Sequence, residues 1–112
     1  MKNLIKITMG LLAAVVVASC SPYGEHHVAV CGGKEVKIID MEKSQGAALH
    51  EVWSWRIDEP TEGLPAEYAD YLNPLDECKL VDGNSKVLLT SSHSGVVLID
   101  LKMRKNLFYA RV

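Results

Sequence analysis

Few residues of this chain could do chemistry, and they are scattered. Four histidines (His26, His27, His50, His93), three cysteines (Cys20, Cys31, Cys78) and the stretch Ser91-Ser92-His93-Ser94 stand among 112 residues. Metal-binding histidines and cysteines usually come as spaced pairs such as H-x-x-x-H or C-x-x-C, and neither occurs here. Ser91, Ser92 and Ser94 lack the G-x-S-x-G context that lifts a nucleophilic serine out of a strand–helix turn. Gly32-Gly33 precedes an apolar strand-like run and not a helix, so it cradles no phosphate. Asp58, Glu59, Glu62, Glu67, Asp70, Asp76 and Glu77 form an acidic stretch without Lys or Arg. It has no D-x-D-x-D-G spacing for calcium and reads as a solvated acidic surface. The residue types therefore assign no catalytic group, no metal ligand set and no cofactor, and the chain is expected not to be an enzyme. Three expectations remain. His93, in the tight turn Ser91–Gly95, is the one candidate for a ligand-facing turn residue. His26-His27 is expected to be exposed. Cys31 and Cys78 are a candidate disulfide, with two small buried thiols as the alternative.

The elements that must position these groups begin after residue 20. Lys2 and Lys6 precede an apolar run, Ile7 to Ala18, broken only by Thr8 and Gly10. A spanning helix needs roughly 20 such residues, so the run reads as a secretory signal segment. Lys and Arg number 12 against 14 Asp and Glu. With no basic surplus, nucleic acid is excluded as a partner. The chain length suits one small domain.

Val17-Ala18-Ser19-Cys20 resembles the lipobox of bacterial lipoproteins: a branched apolar residue, two small residues, then cysteine. The resemblance implies that residues 1–19 are removed and that Cys20 carries a diacylglycerol, with residues 20–26 as a short tether. Ser21 in place of Asp after the cysteine implies retention at the outer membrane, on its periplasmic side or at the surface. Several acyl chains on one residue, at about 0.8 kcal/mol per buried methylene, anchor a protein without a spanning helix. The membrane is then a partner through lipid.

The mature part contains a repeat. His27-Val28-Ala29-Val30-Cys31, a Gly-Gly turn and Glu35-Val36-Lys37-Ile38-Ile39-Asp40-Met41 align without a gap on Val87 to Ser91, Ser92-His93-Ser94 and Gly95-Val96-Val97-Leu98-Ile99-Asp100-Leu101. Glu51 to Ile57 then aligns on Asn106 to Val112, so Arg56 matches Arg111. The segments are short, rich in Val, Ile and Leu, and bounded by Gly, Ser, Asn and Asp, which predicts strands near 27–31, 35–41, 50–57, 77–82, 86–92, 95–101 and 106–112. Val28–Val30, Val36–Ile39, Val87–Leu89 and Val96–Ile99 are nearly continuous apolar runs, which implies burial on both faces. Asp82-Gly83-Asn84-Ser85 is a turn. In the connection, Leu64, Tyr68, Tyr71 and Leu72 follow helical spacing after Pro65, and Asn73-Pro74 stops the helix.

The segment from Cys78 to Val112 is similar to a blade of quinoprotein-like and YVTN-like β-propellers. There a G-N turn precedes a strand, a Gly precedes an apolar strand ending in Asp, and an aromatic strand closes the blade. The expected fold is all-β: two four-stranded antiparallel blades, the first lacking one strand, at 27–57 and 77–112, joined by an acidic connection at 58–76 with a short helix. A small β-sandwich is the alternative. Because a ring needs 4–8 blades, the resemblance also implies the N-terminal portion of a longer propeller. The expected function is a lipid-anchored binding or scaffold module for a glycan or protein ligand. The alternatives are part of a propeller enzyme acting on carbohydrate or amine substrates, or a remnant without activity.

Overall fold

The computed structural model describes residues 22–112. Strands β1 (His27–Gly32), β2 (Glu35–Gln45) and β3 (Ala48–Arg56) form one antiparallel meander. A 3-10 turn, Ala66–Tyr68, runs into the single-turn helix α1 (Ala69–Leu72). Strands β4 (Leu75–Val81), β5 (Lys86–Ser91), β6 (Gly95–Asp100) and β7 (Lys105–Arg111) form the second meander. The fold is all-β, in two antiparallel sheets of three and four strands with a short helical connection. β4 begins at Leu75, ahead of the expected boundary at residue 77, and β2 runs on to Gln45. Asp82, Gly83 and Asn84 all take left-handed backbone in the β4–β5 turn, a conformation that Gly, Asn and Asp tolerate best.

The sheets face each other through one surface of each. On the first sheet that surface is Val36, Ile38, Trp53 and Trp55; on the second it is Val87, Leu89, Val97 and Ile99. All but Trp53 are at most 1% exposed, and each such aliphatic side chain contributes roughly 1.5–3 kcal/mol by leaving water. Trp53 Nε1–H donates to the Leu101 carbonyl at 3.0 Å, a buried bond between the sheets. Trp55 Nε1–H donates to Thr61 Oγ1 at 2.9 Å, which holds the connection down. The sheets' inner edges run along each other at β1 and β4, where Leu75 N–H donates to the Gly33 carbonyl at 2.8 Å. Tyr68 and Leu72 join the same core from the connection.

The repeat is visible in the pairing. Val36 faces Trp55 and Ile38 faces Trp53, as Val96 faces Ala110 and Leu98 faces Phe108; both ladders then slip, between Ile38 and Ile39 and between Leu98 and Ile99. Asp40 and Asp100, at equivalent places, each accept backbone N–H bonds through Oδ1, from Glu42 and Lys43 and from Met103. The gapless alignment needs correcting in β1. Cys31 faces Val36 whereas Thr90 faces Val96, so Cys31 corresponds to Thr90 and the β5–β6 loop is one residue longer than the β1–β2 turn. The expectation of burial on both faces holds in β2, where the successive residues Ile38 and Ile39 are both buried, and fails elsewhere. Burial alternates along β5 and β6, with Leu88, Val96 and Leu98 only partly covered and Phe108 53% exposed.

Gly95, at the start of β6, lies under α1, and a Cβ there would come within 2.4 Å of the Tyr71 carbonyl oxygen. Gly95→Ala is expected to lower unfolding stability by about 1–3 kcal/mol through that backbone clash, read from urea unfolding. A wild-type midpoint would show that α1 does not hold this position.

Candidate functional site

The polar side chains that converge in this fold lie where β1 starts and crosses onto β2. Asp40 is buried near the end of the apolar part of β2, directly across from His27 in β1. Its Oδ1 accepts the N–H groups of Glu42 at 3.0 Å and Lys43 at 3.1 Å. Its Oδ2 faces His27 Nε2 at 3.6 Å and His26 Nε2 at 3.9 Å. The imidazole rings lie 4.1 Å apart, and Tyr23 packs edge-on against His27. His27 is therefore not exposed as the sequence suggested: its side chain is 9% accessible, and His26 beside it is 37%. No spacing rule could find this cluster, because its members are adjacent residues of a tether and a strand residue brought across by a hairpin. The signal present in the sequence was Asp40 closing an apolar strand.

His26, His27 and Asp40 offer three donor atoms within 4.8 Å of one another, a separation a metal ion could draw together. The tautomer argues for a different role. Gly24 N–H donates to His27 Nδ1 at 2.9 Å, so the neutral ring carries its proton on Nε2, the atom that faces Asp40. A metal on Nε2 would displace that proton and cost the Gly24 bond. As it stands, the cluster is a latch that fastens the segment leading into β1 to β2. Asn84 Nδ2 in the β4–β5 turn completes it, donating to the carbonyls of Tyr23 at 3.2 Å and Gly24 at 3.4 Å. Burial works against the charge on Asp40, but the N–H of Lys43, the two imidazoles and the N–H of Glu42 together hold its carboxyl below the ordinary value.

The structure brings Cys31 and Cys78 to the wall of one groove across the β1–β4 seam, although they lie on non-equivalent strands of different sheets. Both are free thiols. Burial and the neighbouring Cys31 push the Cys78 thiol up to about 12, so at neutral pH it is protonated and a poor nucleophile. Two open grooves run along this seam. The larger, of about 530 Å³, is lined by Val30, Cys31, Glu77, Lys79 and Thr90 among others, and a neighbour of about 460 Å³ reaches His27, Leu80 and Asn84.

The other candidates stay apart. His93 is exposed in its turn, and its N–H donates to Ser91 Oγ at 3.2 Å. Ser91 Oγ in turn donates to the Pro74 carbonyl at 2.7 Å. The Ser91 side chain and the His93 backbone thus serve the loop, and the Ser91 hydroxyl is directed to a carbonyl and not to an imidazole base. The acidic connection is largely structural: Glu59 binds Arg104 and the N–H of Arg56, and Asp76 accepts the N–H of Ser92. Arg56 pairs with Asp58 and Glu35, whereas its repeat counterpart Arg111 lies over the Tyr71 ring. Cys20 falls outside the described residues. No family model, curated protein or solved structure matches this chain.

Because the folded state holds Asp40 below its unfolded value near 3.9, its contribution is present above that pH and lost as pH falls through the folded value. Thermal melts across pH 7 to 2 should show a steep acid limb that Asp40→Asn flattens; equal acid limbs would remove Asp40 from this role. Prolonged treatment with oxidised glutathione at alkaline pH, which supplies the thiolate that neutral pH withholds, should join Cys31 to Cys78. Each thiol gives up a proton and an electron, one disulfide of glutathione is reduced to two thiols, and iodoacetamide then labels neither cysteine in the unfolded protein. Such a link is worth about 2–4 kcal/mol. Two labels after treatment would show that the seam holds the sulfurs apart.

Proposed function

We propose that this chain is a non-catalytic, lipid-anchored binding module of the bacterial cell envelope, built from propeller-type blades and held at the outer membrane through Cys20. The observation that carries the reading is the junction between anchor and fold. The lipobox-like Val17-Ala18-Ser19-Cys20 ends only a few residues before the latch at Tyr23, Gly24, His26 and His27. A lipid on Cys20 would therefore hold the β4–β5 turn and the seam grooves at a fixed place close to the bilayer surface. The matched ladder slips and matched aspartates of the two sheets support a repeated blade unit. The seam grooves mix aliphatic, thiol and charged side chains and are open along their length. Such a surface suits a glycan or a protein loop better than a small molecule, which binds in enclosed, mostly apolar pockets. Glu77 and Lys79 on the groove wall supply the polar contacts.

Growth of cells making the full chain with tritiated palmitate is expected to label it, and Cys20→Ala is expected to abolish the label and leave a longer, unprocessed chain. An unlabelled wild-type protein would overturn the anchor and the envelope location with it.

A further inference from the structure

The second sheet has a face that the described residues leave partly open, and the repeat shows what kind of surface covers it. Pairing places Leu88, Leu98 and Phe108 in one row across this outer face and Thr90, Val96 and Ala110 in the next. Phe108 is 53% exposed, and Leu88, Leu98 and Val96 are partly covered. The counterparts of Leu98, Phe108, Val96 and Ala110 in the first sheet are Ile38, Trp53, Val36 and Trp55, by the same ladder and the same slip. Those counterparts are sealed in the core by an aliphatic sheet face. The outer face of the second sheet is thus a second example of a surface whose first example is buried against Val87, Leu89, Val97 and Ile99.

The chain also carries the matching half. Val28 and Val30 correspond to Val87 and Leu89 by the strand pairing. They lie on the outer face of the first sheet, where Val28 is 38% and Val30 is 44% exposed. The geometry points to head-to-tail stacking of two copies of this chain, the Phe108–Leu98–Val96 face of one receiving the Val28–Val30 face of the other. The contact is heterologous: each copy keeps one face of each kind free for a further copy.

Size sets its strength. Four strands about 4.8 Å apart and six residues long at about 3.3 Å each present roughly 400 Å² of sheet per side. A standard stable interface buries about 800 Å² per partner. Lys37, in the place of Val97, adds a charge to the joint, paired with Glu51 at 3.1 Å. The association is therefore reversible, and covalent capture is the suitable readout.

The test uses cells making the full chain with a photoreactive benzoylphenylalanine at position 108. Irradiation is expected to give an adduct of twice the chain mass, with the link mapped by mass spectrometry to the peptide containing Val28 and Val30 of the second copy. Val30→Glu or Val28→Glu, both at exposed positions, should remove the adduct while leaving the protein level unchanged. A probe at Leu49, 62% exposed at the far end of the first sheet, should give none. Four results overturn the inference: no adduct, a link to Leu88–Ala110 of the second copy, a link within one chain, or adducts only to other proteins.

Discussion

Everything else in this fold depends on one junction, the aromatic face of the first sheet closed by the aliphatic face of the second. Neither sheet could stand alone. Three strands give Trp53 and Trp55 nothing to bury against, and an isolated small sheet is marginal in water. The Trp53 indole makes the junction directional as well as apolar, since its N–H finds the Leu101 carbonyl only when the sheets meet at one angle and one height. The connection is then tied down by Trp55 and Thr61 and plugged by Tyr68 and Leu72. The β1–β4 seam, with its two thiols and its grooves, lies along the inner edges of that junction.

The polar features follow from the same arrangement. Bringing β1 beside β4 puts the β4–β5 turn next to the residues that precede β1, and Asn84 can then hold the carbonyls of Tyr23 and Gly24. The hairpin of β1 and β2 sets Asp40 opposite His27. A carboxylate in a buried position is costly unless hydrogen bonds satisfy it. Here two backbone N–H groups take one oxygen and two imidazoles face the other. The result is a fastening for the segment that leads into β1, assembled from three separate parts of the sequence.

The sequence disclosed the elements better than their meetings. Short apolar runs, the Asp82-Gly83-Asn84-Ser85 turn and the spacing from Leu64 to Leu72 placed all seven strands and the helix near their observed positions, because those signals are local. The repeat was legible for the same reason, and its one-residue error arose in a loop, where length is free to change without disturbing a ladder. Both-face burial failed at Leu88, Val96 and Leu98, since composition tells that a strand wants cover and not whether a cover is supplied. The proximity of Cys31 to Cys78, and of His26 and His27 to Asp40, depends on how the sheets and hairpins close. No spacing along the chain encodes that.

The reach of the Trp53 bond has a consequence for how this protein comes into being. Its acceptor, Leu101, leaves the ribosome almost fifty residues after its donor. Until β5 and β6 have been made the two tryptophans have no surface to enter, and the first three strands stay without a lid. The first three strands thereby stay open until the second sheet has been made. The length of that delay is set by the stretch of chain between one indole and one carbonyl.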